Sequence, residues 1–271
     1  MGKEENKKNY GREELKKYFR NGNIPSENHF GYLIESMINK QDDGISKDEE
    51  HGLHIYKSDS SKRLVTFFNN LDETKPFFLI EKDNKEIPSL KFCASTRPEG
   101  TDAQSEDGDE NSFFFHEGGR LGVGKRSEEN HKLDVKGFIG MDGRIGTYRS
   151  GAVLADGKWH SIIKDLDNCQ AFEIVARSGD KGKGKFAMIH AIALSTYGRS
   201  RSKIRKTRAH YGFLWNRLNI RWKGDNTHKY HLQLRTNCNY GYDVKIFYSV
   251  TKLWDDEYML PAGHFYPIGS E

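Results

Sequence analysis

The spacing of hydrophobic residues changes along the chain. Between residues 13 and 40, apolar residues recur three and four positions apart, as on one face of a helix, and from His51 onward they form short runs between turn residues. The first pattern predicts a helix over Glu13–Arg20 and a second helix capped by Ser26. The later runs predict strands. We therefore expect a mainly β fold with an N-terminal α-helical hairpin and a C-terminal antiparallel β-sandwich of the jelly-roll type.

The predicted hairpin carries an apolar stripe that it is too small to bury alone. We expect this stripe to attach the segment to a partner or to copies of the same chain. The residues assigned to attachment are Leu15, Tyr18, Phe19, Phe30, Leu33, Ile34 and Met37.

Shifts in composition predict five segments. Residues 99–110 contain six carboxylates and no base, which is typical of a solvated loop, and glycine is frequent after Phe113. The predicted segments are an N-terminal helical attachment segment (1–45), a small β domain (46–94), an acidic linker (95–112), a glycine-rich trimerising junction (113–147) and a C-terminal β-sandwich (148–271).

The overall composition indicates a thin core. Apolar residues make up 35% of the 271 residues, which is low for a chain of this length, so contacts between subunits would add the missing burial. No apolar run is long enough for a membrane helix, and the N-terminus has no apolar segment of the signal-peptide type. We therefore expect no membrane insertion and synthesis in the cytoplasm without a signal peptide.

The net charge is only +4, but residues 199–208 carry six bases and no acid, with aromatic residues nearby. In a strand, Arg201, Lys203 and Arg205 would share one face. These residues, with Tyr211, Trp215 and Trp222, are the candidates for binding a ligand at a cell surface. An acidic glycan is one such ligand, a protein receptor is another, and the sequence disfavours nucleic acid.

The motifs that resemble catalytic or metal sites are incomplete. Gly119–Lys125 fits the skeleton of a phosphate-binding loop, but Arg126 stands where a hydroxyl residue is needed. The closest histidine pairs, His51/His54 and His228/His231, are three residues apart, which places the rings on opposite faces of a strand. The three cysteines are far apart and form no zinc or disulfide pattern. The sequence thus predicts no catalytic residues, no metal, no cofactor and no enzyme activity.

Three stretches resemble tail-fibre-like proteins of phages and phage-related contractile injection systems. Leu15–Ile45, LKKYFRNGNIPSENHFGYLIESMINKQDDGI, follows the pattern LKxYFxTGxxPTxxxFxxLIDSxxNxxDDG of their N-terminal segment. Gly119–Gly140, GRLGVGKRSEENHKLDVKGFIG, is similar to a fibre motif with the pattern G-x-[LV]-G-[IV]-G followed by L-x-V-x-G. Met141–Trp254 looks like the β domain that follows this motif in such proteins.

The resemblance implies a homotrimer that belongs to a tail or baseplate. Leu121, Val123, Leu133 and Val135 fall on the motif's apolar positions, and the resemblance assigns them to contacts between chains, with the glycines allowing close approach. The implied function is that of a structural and binding component of an extracellular particle, whose C-terminal domain contacts a target-cell surface. Three alternatives stay open: a soluble glycan-binding lectin, a purely architectural baseplate decoration and a glycan-degrading tail enzyme.

Overall fold

The computed structural model describes residues 10–40, 42–56, 61–70, 73–85, 88–95 and 109–261, apart from the side chain of residue 225. The described chain is mainly β, with several antiparallel sheets. It divides into two compact units that meet in sequence at Ile139 and Gly140, and we describe each unit by itself. No helix in the described residues is both long and apolar enough to cross a membrane.

Unit 1 begins with two short helices, followed by eight strands. The elements are α1 (Arg12–Tyr18), α2 (Glu27–Glu35), β1 (Ile45–Asp48), β2 (Gly52–Ile55), β3 (Arg63–Phe67), β4 (Phe78–Asp83), β5 (Ser89–Ala94), β6 (Ser112–His116), β7 (Arg120–Val123) and β8 (Leu133–Val135).

The second helix starts where the sequence predicts. Ser26 is the N-cap of α2, and its backbone N–H donates to Nδ1 of His29 at 3.1 Å. The helix ends at Glu35, so Met37 lies beyond it. Tyr18 stacks on His29, with ring centroids 4.2 Å apart, which brings α1 against α2.

Six strands of unit 1 form one sheet in the order β3-β4-β5-β6-β7-β8, and β1 with β2 forms a separate hairpin. The sheet is antiparallel except for β7 and β8, which are parallel. Because β5 pairs directly with β6, the predicted small β domain and the predicted junction contribute to the same sheet. Most of the predicted linker, residues 96–108, lies outside the described residues.

Unit 2 is a β-sandwich followed by a short helix. Its elements are β9 (Arg149–Leu154), β10 (His160–Leu166), β11 (Cys169–Ser178), β12 (Phe186–Thr196), β13 (Lys203–Tyr211), β14 (Leu218–Asn226), β15 (Lys229–Thr236), β16 (Lys245–Asp255) and α3 (Asp256–Met259). One sheet has the order β13-β12-β11-β16-β9 and the other β10-β15-β14. The strands β11, β12 and β13 pair in chain order, whereas β16 pairs with β11 and β9, and β10 pairs with β15, so both sheets also contain pairs of strands that are distant in the sequence.

The core of unit 2 lies between its two sheets. Alternate residues of β12 are buried, and small side chains such as Ala191 and Ala193 stand among larger ones. Phe172 from one sheet and Leu232 and Leu234 from the other are fully buried in the same cluster. The sandwich therefore covers the inner faces of both sheets within one chain.

Candidate functional site

One face of the six-stranded sheet in unit 1 is almost entirely apolar. The register places Phe115 opposite Leu90 on β5 and opposite Leu121 on β7, and Leu121 opposite Leu133 on β8. Extended across all six strands, this register defines what we call the apolar sheet face: Val65, Phe67, Phe78, Ile80, Leu90, Phe92, Ala94, Phe113, Phe115, Leu121, Val123, Leu133 and Val135. Lys82 is the charged residue on the same face of these strands.

The apolar sheet face stays accessible in the single chain. None of its members is buried, and Phe115 and Leu133 leave 48% and 56% of their surface exposed. With ~200 Å² for a full phenylalanine side chain, the five most exposed members leave about 400 Å² uncovered. The largest apolar patch on a typical monomer is ~300–600 Å², and the half-buried members enlarge this one further. An exposed apolar patch of this size is a candidate surface for contact with another molecule.

The opposite face of the sheet is covered by the chain itself. Phe114 is fully buried there, and the Arg126 guanidinium carbon lies 4.8 Å from its ring centroid. Arg126 donates to Asp83 and Asp109, and Lys91 Nζ lies 2.8 Å from the Asp109 carboxylate. Charged groups therefore line this covered face, and each pairs with an opposite charge.

The environment of the covered face shifts the pKa values of Asp83 and His116. Burial by itself would raise the pKa of Asp83, but the hydrogen bonds and charge of Arg126 outweigh burial and hold that pKa below its ordinary value. Burial lowers the pKa of His116, and the nearby Arg120 and Arg126 charges add to the effect. The neutral imidazole then accepts the Ser127 N–H at Nε2, 3.2 Å away.

The motif that resembles a phosphate-binding loop has a packing role here. At Gly122 an added Cβ would lie 2.1 Å from the Lys125 carbonyl oxygen, so only glycine lets the chain fold back over the sheet. Gly124 has φ +70°, in the left-handed region. These glycines therefore meet a steric requirement within one chain, and the expected approach of three chains stays a prediction. Leu121, Val123, Leu133 and Val135, which we assigned to contacts between chains, all lie on the apolar sheet face.

The predicted attachment stripe is split by the structure. Leu15 is buried, so it is not available for attachment. Phe30, Ile34 and Met37 are exposed over more than half of their surface. The remaining members, Tyr18, Phe19 and Leu33, are half-buried.

At one end of the sandwich, loops present exposed aromatic residues. The turn after β13 carries Phe213, Leu214 and Trp215 with 82%, 69% and 72% of their surface exposed. Together with Tyr211 and Tyr242, which are also exposed, they form what we call the sandwich tip. The side chains of these five residues are mostly surrounded by solvent, although aromatic and aliphatic groups favour burial.

Hydrogen bonds hold the turn of the sandwich tip. Asn216 is buried, its N–H donates to the Phe213 carbonyl at 2.8 Å, and its side-chain amide donates to the Tyr211 carbonyl at 3.0 Å. Nearby lysines bind the adjoining loop, since Lys183 donates to the Tyr242 carbonyl and Lys185 to the Asn239 carbonyl. The tip is therefore a fixed apolar surface with cations beside it.

The other predicted ligand residues lie in different places. Arg201, Lys203 and Arg205 are exposed, and Lys203, Arg205 and Tyr211 share one face of β13, as the alternation predicts. Trp222 does not belong to this surface. It is half-buried and packs toward the core, with ring centroids 6.2 Å from Phe172 and 5.5 Å from Tyr230. The inward side of β14 alternates through Leu218, Ile220 and Trp222, which explains this placement.

One edge of Trp222 still borders a shallow cleft between β13 and β14. Arg199, Ser202 and Arg221 also line the cleft. A second cleft, on the outer side of β11, contains one carboxylate, Glu173, which pairs with Arg144 and His190. Neither cleft has a pair of carboxylates among its lining residues, which glycoside hydrolysis would require.

Comparison of the chain with protein-family models, curated proteins and solved structures found no match.

Proposed function

We propose that this chain is a non-enzymatic structural and binding component of a phage tail or contractile injection particle, as a tail fibre or baseplate appendage, and that it acts as a homotrimer. The observation that carries the proposal is the apolar sheet face. Six strands expose one continuous apolar surface that the described chain leaves uncovered. Copies of the same chain are the occupant that we propose, because a standard interface takes ~800 Å² from each partner, and the five most exposed members of this face alone leave about half of that area uncovered.

The threefold arrangement rests on the resemblance to fibre proteins. Three sheets whose apolar faces turn toward a common axis form a closed assembly in which each face packs on its neighbours. Leu133 and Val135 on the edge strand β8 would then meet the next copy. The exposed Phe30, Ile34 and Met37 of the N-terminal helical segment would dock on a baseplate or tail protein of the particle.

The sandwich tip is the surface that we assign to target recognition. Exposed aromatic rings beside lysines suit a ligand that offers both flat apolar surface and negative charge, such as an acidic glycan on a cell. A soluble glycan-binding protein is the second candidate function, and the exposure of Trp215 favours it equally. The two candidates differ in the oligomeric state of unit 1.

Light scattering of the purified full-length chain tests the proposal. We expect a mass of about 94 kDa, three times the 31.2 kDa of one chain. Phe115→Glu, which places a charge in the middle of the apolar sheet face, should reduce the mass to that of one chain. Phe247→Glu is the matched control, because Phe247 is also 48% exposed but lies on β16 of the sandwich. It should leave the mass unchanged.

A monomeric wild-type chain at every concentration would overturn the assembly proposal and leave the glycan-binding candidate. A mass of two chains that Phe115→Glu abolishes would keep the apolar sheet face as the interface but replace the threefold symmetry with a twofold.

A further inference from the structure

Three potential metal ligands converge on the β1–β2 hairpin of unit 1. Asp48 Oδ2 lies 3.0 Å from His54 Nε2 and 3.5 Å from His51 Nδ1, and one donor atom from each residue lies within 4.8 Å of the others. The sequence predicted opposite faces for these two histidines, and that prediction was wrong. His51 lies in the turn before β2, where strand alternation does not apply, and the two ring centroids are 5.7 Å apart.

The surroundings orient each ligand. Asp48 Oδ1 accepts the His51 backbone N–H at 2.6 Å, which turns Oδ2 toward the two imidazoles. His54 Nδ1 lies 2.9 Å from the Tyr56 hydroxyl, an outer partner of the kind that fixes the tautomer of metal-binding histidines. His51 Nε2 faces outward, 3.9 Å from Glu50 Oε1.

The His54 ring is poorly aligned for a hydrogen bond with Asp48. Its Nε2 is buried and makes no hydrogen bond with the described residues, although the Asp48 oxygen is only 3.0 Å away. Two groups that hydrogen-bond point at each other, whereas two ligands of one ion point at the space between them. In a tetrahedral zinc site with ~2.05 Å bonds, neighbouring ligand atoms are about 3.3 Å apart. The distances from Asp48 to His54, 3.0 Å, and to His51, 3.5 Å, lie on either side of that value.

We propose that Asp48, His51 and His54 bind a divalent transition-metal ion, with Zn²⁺ as the ion that the ligand set suits best. Two imidazoles and one carboxylate favour Zn²⁺ over Mg²⁺ or Ca²⁺, which prefer all-oxygen sites. Three protein ligands leave a fourth position for water or for a group from a second copy. The ion would fasten two strands of four residues each, whose pairing alone contributes little stability.

A second cluster in the same unit supplies an internal comparison. Glu128, His131 and Asp134 also follow a spacing of three and bring their donor atoms together. There the Lys125 ammonium lies 3.3 Å from Glu128 and 3.1 Å from Asp134, so a side-chain cation already neutralises the carboxylates. Within the described residues, Asp48 forms ion pairs only with the two histidines, so its cluster lacks such a cation.

Titration calorimetry of the full-length chain with ZnCl₂, together with Co²⁺ absorption spectra, tests the site. We expect one site per chain, at least a 100-fold loss of zinc affinity in His54→Ala, and no change in His131→Ala. Tyr56→Phe should weaken binding about 10-fold, because it removes the outer hydrogen bond but no ligand. Circular dichroism of each variant checks that the fold is intact.

Wild-type protein that binds Zn²⁺ no more tightly than His54→Ala would overturn the proposal. Loss of the tight site in His131→Ala would also overturn it, by moving the site to the second cluster. A visible Co²⁺ spectrum that survives His54→Ala would likewise show that other residues hold the ion.

Discussion

The two units use strands of the same kind but bury them differently. In the sandwich of unit 2, the inner faces of two sheets meet, and residues such as Phe172 and Leu232 have no exposed surface. In unit 1, one sheet carries a charged network on its covered face and the apolar sheet face on the other. An alternating strand thus identifies an apolar face but not the molecule that covers it. The core of unit 2 is therefore buried within one chain, whereas the apolar sheet face of unit 1 becomes buried only in the assembly that we propose.

The largest expected effect concerns the core of the sandwich. Phe172→Ala removes a fully buried ring and should lower the free energy of unfolding of unit 2 by about 3–5 kcal/mol. The loss should not depend on protein concentration, because the core lies within one chain. Val175→Ala, on the exposed side of the same strand, should cost less than about 1 kcal/mol. Equal losses in urea denaturation of the two variants would contradict the described packing.

The second largest effect on stability is expected for the charged network of unit 1, in which Arg126 pairs with Asp83 and Asp109. Arg126→Met leaves Asp83 and Asp109 without their shared guanidinium and should cost about 2–4 kcal/mol, somewhat less than a fully buried pair because Arg126 is partly exposed. The folded-state pKa of Asp83 is depressed. Its contribution is therefore fully present above the ordinary pKa of ~3.9 and is lost as the pH falls through the lower, folded-state value.

Denaturation midpoints at pH 7 and at pH 3 check that sign. The wild-type protein should lose more stability on acidification than Asp83→Asn, which has no carboxylate to protonate at that position. A wild-type protein with the smaller acid loss would show that the guanidinium does not hold the Asp83 pKa down.

A substitution at Gly122, where the backbone of Lys125 approaches closely, should have a smaller effect on stability. Gly122→Ala places a methyl group against the Lys125 carbonyl and should destabilise unit 1 by about 1–3 kcal/mol. Gly118→Ala is the control, because its Cβ would meet only the flexible Arg120 side chain at 3.4 Å. Thermal unfolding distinguishes the two variants, and a stable Gly122→Ala protein would contradict the close approach.

The smallest stability effect is expected at the sandwich tip. Trp215→Ala should change the free energy of unfolding by less than about 0.5 kcal/mol, because the ring is mostly exposed. It should nevertheless elute from a heparin column at lower salt, as should Lys183→Glu. Trp254→Ala, whose indole donates to Asp256 at the other end of β16, should elute like the wild type. If both tip variants elute at the same salt concentration as the wild type, the sandwich tip does not bind acidic glycans.

The sequence predicted well those features that depend on residues a few positions apart in the chain. The N-cap at Ser26, the strands from β10 onward and the shared face of Lys203 and Arg205 all follow from capping and alternation. The same reasoning missed the apolar sheet face as a whole. Phe113 and Phe115 lie in a run of three consecutive phenylalanines that gives no alternating signal, and the pairing of their strand with β5 crosses a segment of low hydrophobicity that reads as a boundary.

Some residues were placed wrongly because the outcome depends on distant packing. The sequence analysis grouped Trp222 with the nearby basic residues as a candidate for ligand binding. Its side chain instead packs toward Phe172 and Tyr230. Leu15 belongs to an exposed stripe by spacing, but it is buried. His51 and His54 come together because a turn lies between β1 and β2, where the strand period gives no guidance.

By itself, the sequence determined the mainly β class, the start of α2 and the faces of individual strands, because these depend on neighbours a few residues away. Only the tertiary structure decided which strands pair across the acidic segment, which face of each sheet is covered, and which charged and histidine side chains meet. The physical reason is that burial and pairing join groups far apart in the chain. The pattern of one strand indicates which of its residues favour burial but not which other residues bury them.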